Sequence, residues 1–299
     1  MNLQAKTKVL DLFDPAVHGS VYLYALASFD LEPNFWCSQE YFKRAGFREN
    51  IIDDRYLQVI DTSDLTILPL IDIEHGKLHG IVPDGGIWAD MPDFLPLLEI
   101  DITSSRNEFL DYEYIYDPES FCNMEGKQWA TFRKNCRKFA RRHSYMLNYV
   151  PIEEISYWSK FDFQMLELFE EWTDGVAEDE IADGRVLANY FQNGKNRMVL
   201  VDSQLKILGM NIWDENWKYL NFRYCICRNI PFLSEYMRFL FYQSAVSSER
   251  VRPTGARIKL VNDGGVLDRP SLKAFKDKMN PIEKRLIYSW KKEKPNGQT

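Results

Sequence analysis

An α+β protein, with helices layered on mainly antiparallel, mixed sheets, is what this sequence of 299 residues predicts. From Asp162 onward the hydrophobic period changes in a regular order: helix, three strands, helix, strand, helix, strand. Before about residue 120 the apolar runs are short and strand-like, separated by turn chemistry. A hydrophobic content of 45% with 14% aromatic residues supplies buried cores for about two domains.

Taken in order, RYLQVI, LTILPLIDI and YEYIYD read as strands, with a turn at Pro83-Asp84-Gly85-Gly86. Gly126 to His143 carries a helical period. The second half then reads as a helix in FDFQMLELFEEWTDGV, strands in RMVLVDSQ, KILGMNIWDE and KYLNFRYCIC, and a helix in SEYMRFLFYQSAVSSE. A strand in ARIKLV, a helix in SLKAFKDKM and a strand in RLIYSW complete it. The change of pattern at Asn148-Tyr149-Val150-Pro151 places a domain boundary between 148 and 149, giving domains 1–148 and 149–291 and a polar tail at 292–299. The N-terminus lacks a long apolar stretch after its charges, and nowhere do 18 apolar residues run together; the expectation is a cytoplasmic protein without a transmembrane segment.

The five cysteines are odd in number and scattered, which predicts free thiols rather than a disulfide framework. Cys225 and Cys227 share one face of a strand. None of His18, His75, His79 and His143 falls in a ligand spacing with them, so two core thiols are expected and no metal.

Charge is distributed unevenly. KQWATFRKNCRKFARRH, residues 127–143, holds seven Lys or Arg and no acid; with a chain net charge of −7, the remainder carries −14. On a helical wheel Trp129, Phe132, Cys136, Phe139, Ala140 and His143 fall on one face. Lys127, Arg133, Lys134, Arg137, Lys138, Arg141 and Arg142 fall on the other. A merely solvated helix interleaves acids to make i,i+4 pairs. This one has none, which favours a polyanion ligand: tRNA or DNA phosphates, a coenzyme A diphosphate, or lipid head groups. Charge does not choose among them. His143, on the apolar side, is expected to pack.

In NDGGVLDRPSLKAFKDKMNP, Val266 stands where a phosphate loop needs its lysine, and GxGxxG is absent, so the double glycine reads as a tight turn. Asp268 or Ser271 can cap the helix that follows. Leu272, Phe275 and Met279 form its apolar stripe, and Lys276 projects beside that stripe whereas Lys273 and Asp277 point away. Lys276 is therefore the lysine held nearest the interior. Asp214 and Glu215 sit at a hairpin, where turn chemistry explains them.

Together, YIYDPESFCNMEGKQWATFRKNCRKFARRH and the closing stretch resemble the C-terminal domain family of phosphatidylglycerol lysyltransferases. The similarity rests on Tyr114, Tyr116, Met124, Gly126, Lys127, Trp129, Arg133, Asn135 and Phe139, then on Asn262, Gly264, Leu272, Lys273, Phe275, Lys276 and Pro281. It runs from about 110 to 290. What it implies is a tandem of GNAT-like acyltransferase folds, related to Fem-type aminoacyltransferases. Such proteins move an acyl or aminoacyl group from acyl-CoA or aminoacyl-tRNA to an amine or hydroxyl on a small molecule, a lipid or a nucleic acid. The sequence departs from the pattern in Arg228-Asn-Ile-Pro-Phe-Leu-Ser-Glu-Tyr236, which has no glycine where GNAT proteins bind pyrophosphate.

Acyl transfer needs a group at the oxyanion, a proton acceptor and an acid. Lys276 is the candidate for the oxyanion, Asn262 and Asp263 for orienting or deprotonating the acceptor, and Tyr224 for the acid, although a packed strand tyrosine fits it as well. Lys127, Arg133, Lys134, Arg137, Arg141 and Arg228 are the candidates for binding the donor. Three functions stay open: an acyl or aminoacyltransferase, a non-catalytic polyanion-binding protein on the same scaffold, and acylation of an amine on a modified nucleic-acid base.

Overall fold

A computed structural model of the chain describes residues 20–29, 33–52, 56–61, 70–72, 77–79, 87–89, 105–143, 147–174, 184–193, 196–249, 259–266 and 269–292. The turn at Pro83 to Gly86, the start of the ARIKLV run, Asp268 and the tail beyond Lys292 lie outside them.

The first helix, α1 (Val21–Ser28), is capped by Ser20, whose hydroxyl accepts the Leu23 N–H. Helix α2 (Gln39–Ala45) is capped the same way by Ser38 and closed by Gly46 at φ 75°, a left-handed stop that glycine adopts freely. An antiparallel sheet follows, β1 (Phe47–Ile52), β2 (Tyr56–Asp61), β3 (Leu70–Asp72) and β4 (Lys77–His79), in sequential order. Tyr22, Leu23 and Leu26 of α1 cover Leu57, Val59 and Ile71 of this sheet.

A second sheet of eight strands among the described residues carries the rest. Its members are β5 (Ile87–Ala89), β6 (Ser105–Tyr116), β7 (Asn148–Pro151), β8 (Asn196–Val201), β9 (Ile207–Glu215), β10 (Tyr219–Cys227), β11 (Leu260–Asn262) and β12 (Glu283–Lys292). They lie in the order β5-β12-β6-β11-β10-β9-β8-β7. Every neighbouring pair is antiparallel except β10 and β11, which are parallel because a helix, α7 (Leu233–Glu249), crosses between them.

Alternation along the strands builds two layers. On one face α3 (Pro118–Asn123), α4 (Ala130–His143) and α7 pack over Leu220, Phe222 and Val261 through Phe121, Phe132, Phe241 and Tyr242. The rings of Phe121 and Tyr242 stack 3.7 Å apart. On the other face α5 (Phe161–Thr173) and α6 (Gly184–Asn193) set Met165, Leu168, Leu187 and Tyr190 against Val199, Met210, Ile212 and Ile226. The last helix, α8 (Pro270–Lys278), starts on Pro270 with Arg269 as its cap residue, and no side chain there makes a capping hydrogen bond; Ser271 lies inside the helix.

The layered α+β architecture with a mostly antiparallel sheet is the one the sequence predicts. The boundary expected at 148/149 does not separate the sheets. β5 and β6, on its N-terminal side, lie among strands of the C-terminal side, and β6 pairs with β12 from Glu283↔Ile115 to Lys292↔Ser105. β12 itself reaches Lys292, the residue at which the polar tail was expected to start.

Candidate active site

The neighbouring parallel strands β10 and β11 pair at Tyr219↔Leu260, Leu220↔Val261 and Asn221↔Asn262. There β11 ends, while β10 runs on to Cys227, so the two part in the middle of the sheet. On its other edge β10 bulges against β9 between Phe222 and Tyr224, which puts Arg223 out of register. Bulges bend a strand and re-aim a side chain. The Arg223 side chain is only 3% exposed although the residue as a whole is half-buried.

Beneath the parting lies a buried polar row. The Asp214 carboxylate accepts from Arg223 Nε at 2.6 Å and Nη2 at 3.2 Å, from Asn221 Nδ2 at 2.9 Å, and from the Tyr190 hydroxyl. Burial opposes the charge of Arg223, and the Asp214 carboxylate outweighs it, holding the guanidinium above its ordinary pKa. Phe35 and Tyr41 flank it with ring centroids 4.2 and 4.5 Å from Cζ. Among the described residues, Arg223 Nη1 and Asn221 Oδ1 are buried without a hydrogen-bond partner. An unmet buried donor or acceptor costs about 1–3 kcal/mol.

The loop after β11 holds a second buried polar group. Asn262 is wholly buried; its Nδ2 donates to Glu113 Oε2 at 3.0 Å and its Oδ1 accepts from the Gly264 N–H at 2.9 Å. Asp263 pairs with Arg238 of α7, and Lys276 Nζ lies 3.6 Å from its other carboxylate oxygen. Lys276 also donates to the carbonyls of Asp263 at 2.5 Å, Gly264 at 3.3 Å and Gly265 at 2.6 Å. Gly264 sits at φ 60°, and a Cβ there would stand 3.2 Å from the Phe35 ring.

Residues 33–38 strap this arrangement down. The Phe35 N–H donates to Glu113 Oε1 at 2.6 Å, Arg285 Nη2 to the Pro33 carbonyl at 2.8 Å, and Asn216 Nδ2 to the Cys37 carbonyl at 2.9 Å. Glu113 and Arg285 form a buried ion pair at its base.

The structure thus brings Asn262, Asp263 and Lys276 together. Lys276 is buried, as the helical wheel indicated, but its ammonium is spent on main-chain carbonyls. Its geometry is that of a loop clamp. Tyr224 is half-buried against the α5–α6 core, with the Tyr190 ring 6.3 Å away. Arg228 is buried and held by carboxylates: Nε donates to the Ile207 carbonyl, and Glu167 and Glu171 close on its other nitrogens at 3.1 and 3.0 Å. Asp214 corrects the hairpin reading, since it is a fully buried ion-pair partner and Asn216 makes the turn, accepting from the Lys218 and Tyr219 N–H groups. Arg223, Asn221, Glu113 and Arg238 were missed; the signal for them was polar residues inside apolar strand and helix runs.

The basic helix is amphipathic as expected. Phe132, Cys136 and Phe139 are buried, and His143 stacks on Phe139 at 4.6 Å. Lys127, Lys134, Arg137, Arg141 and Arg142 are exposed, and no carboxylate of the described residues lies within ion-pair distance of them. Arg133 differs: half-buried, it donates to the Met124 carbonyl and fixes the turn before α4. The helix lies beside the loop between β10 and α7, with Lys138 Nζ 5.3 Å from the Phe232 ring centroid.

Neither a protein-family model nor a curated protein sequence matches the chain. Solved structures share its fold. A conserved protein of unknown function from Bacteroides thetaiotaomicron has a TM-score of 0.60 at 12% identity, over 87% of this chain and 90% of its own. L-PGS from Bacillus licheniformis has a TM-score of 0.56 at 14% identity, over 95% of this chain and 93% of its own. The C-terminal domain of a protein described as a lysylphosphatidylglycerol synthetase, from Agrobacterium fabrum, gives 0.53 at 12% identity, over 89% and 91%. At such identities the likeness is one of fold, and the fold is that of the domain which the sequence motifs resemble.

Proposed function

We propose that the chain is an aminoacyltransferase of tandem GNAT-like build, taking an aminoacyl group from aminoacyl-tRNA to an amine or hydroxyl acceptor at the parting of β10 and β11. The observation that carries this is the buried, unpartnered pair Arg223 Nη1 and Asn221 Oδ1 at that parting. A donor N–H fixed on a buried cation suits a carbonyl oxygen gaining negative charge, and an amide oxygen suits the α-ammonium of an aminoacyl group. In the reaction the acceptor nitrogen or oxygen bonds to the ester carbon. The ester C–O bond breaks, and the tRNA hydroxyl leaves with the proton the acceptor gives up.

Transfer RNA is favoured over acyl-CoA by two features. Arg228 is tied to two glutamates, and the Asn229 N–H donates to Glu171 Oε1 at 2.7 Å, so the loop that would cradle a diphosphate is occupied by carboxylate. The unpaired cations of α4 supply a phosphate-binding surface beside it. Support for aminoacyl transfer also comes from the fold, shared along nearly the whole chain with L-PGS. No helix of the described residues is long and apolar enough to cross a membrane. A cytoplasmic setting, where charged tRNA is made, accords with this reading.

Charged, radiolabelled tRNA incubated with the protein and with phospholipid vesicles, small amines or bulk RNA in separate arms should lose label to one acceptor. Acyl-CoA in parallel should not be consumed. Salt-sensitive tRNA binding without turnover in any arm would replace the enzyme with the second reading, a polyanion-binding protein, which the stripe on α4 alone would support.

A further inference from the structure

The parting of β10 and β11 is plugged by an aromatic ring. Phe35 bridges it: the Arg223 guanidinium of β10 has its Cζ 4.2 Å from the Phe35 ring centroid, and the far edge of the ring, Cε1, Cζ and Cε2, would stand 3.2 Å from a Cβ on Gly264, two residues past the end of β11. A side chain at 264 would crowd that edge, so glycine is what lets the ring seat there. Tyr41, Ser38 and Asp214 also lie against the guanidinium, and all three are buried. Phe35 is half-buried and shows its remaining surface to solvent. Asn221 is fully buried, so neither it nor Arg223 is open to a ligand while the ring stays in place.

The backbone that carries the ring is tied on both sides. Beyond the bonds from Phe35 to Glu113, from Arg285 to Pro33 and from Asn216 to Cys37, the Cys37 N–H donates to the Asn34 carbonyl at 3.1 Å and the Trp36 N–H to Asn34 Oδ1 at 3.0 Å. The Cys37 side chain packs with Tyr22, Leu26 and Leu57. Lifting the whole strap would break these contacts together. Turning the Phe35 side chain about its χ angles breaks none of them; it gives up the contacts with Arg223 and Gly264 and the edge-on contact with Trp36 at 5.7 Å. Rotation of a partly exposed side chain is also the faster motion.

We propose that the Phe35 ring is a displaceable plug, which turns outward to let the ester carbonyl of a substrate reach the Nη1 donor of Arg223 and closes again when the site is empty. The inference rests on the aminoacyltransferase reading of this site. In the absence of substrate the ring face is the partner of the cation, and it keeps solvent anions from the unmet donor.

The test modifies arginines in the folded protein with 2,3-butanedione and maps them by peptide mass, which needs no turnover. Phe35→Ala should raise the rate at Arg223 about tenfold, and Phe35→Leu, which keeps a smaller apolar plug, by less. Arg228, buried between Glu167 and Glu171, should keep its rate in all three proteins. A charged tRNA with its ester replaced by an amide should protect Arg223 in Phe35→Ala. Equal rates at Arg223 with and without the ring, or a rise that Arg228 shares, would overturn the plug. Exposure of Arg223 by Phe35→Ala without protection by this tRNA would keep the plug and count against the aminoacyltransferase reading.

Discussion

Lys276 shows how a residue can be legible in position and not in role. The helical period placed it beside Leu272 and Phe275, and it is buried. Its partners include three carbonyls of a loop whose shape depends on Gly264 at φ 60°, which no spacing encodes. Lys276→Met should therefore unfold the loop as well as impair transfer, with a stability loss of about 3 kcal/mol, read as a lower urea midpoint. A variant that keeps its midpoint yet loses transfer would make Lys276 a substrate contact instead. Gly264→Ala should cost about 1–2 kcal/mol, because the left-handed conformation penalises a Cβ and the Phe35 ring already fills the space. Asp214 was misplaced for a related reason. Its position next to a hairpin is visible in the sequence, but its partner Arg223 meets it only across a bulge.

Among elements, α4 was the most legible, since one helical period separates its aromatic and cationic faces. What the period could not show is that Arg133 serves the fold while its neighbours do not. Reversing Lys134, Arg137 and Arg141 to Glu should leave the circular dichroism spectrum unchanged and weaken tRNA binding by about a hundredfold or more at low salt, with a shallower salt dependence. Arg133→Glu alone should lower the melting temperature, because it removes the tie to the Met124 carbonyl. Equal tRNA affinity after the triple reversal would move the donor surface away from α4. The neighbouring loop from Arg228 to Tyr236 was read correctly as lacking glycine, yet the inward turn of Arg228 depends on Glu167 and Glu171 in another helix.

For the whole molecule, the sequence carries the element order and not the strand order. The aromatic run ending β6 reads as a strand, but its pairing with β12 joins segments about 170 residues apart, and periodicity carries no information on partners. The boundary drawn at 148/149 failed to separate the sheets for that reason. Glu113 is where the long-range assembly converges, tying β6, β11, β12 and the strap at 33–38. Glu113→Gln should leave Arg285 without its counter-charge, cost about 3–5 kcal/mol, and make residues 33–38 an early site of limited proteolysis. The proposed place of acyl transfer is the parting of β10 and β11, against Arg223. The measurement that tests it most directly is the rate of aminoacyl transfer from charged tRNA by Arg223→Lys, a variant that keeps the charge and loses the guanidinium fork, compared with the unaltered protein at equal tRNA affinity. A fall of about a hundredfold is expected; an unchanged rate would contradict the account.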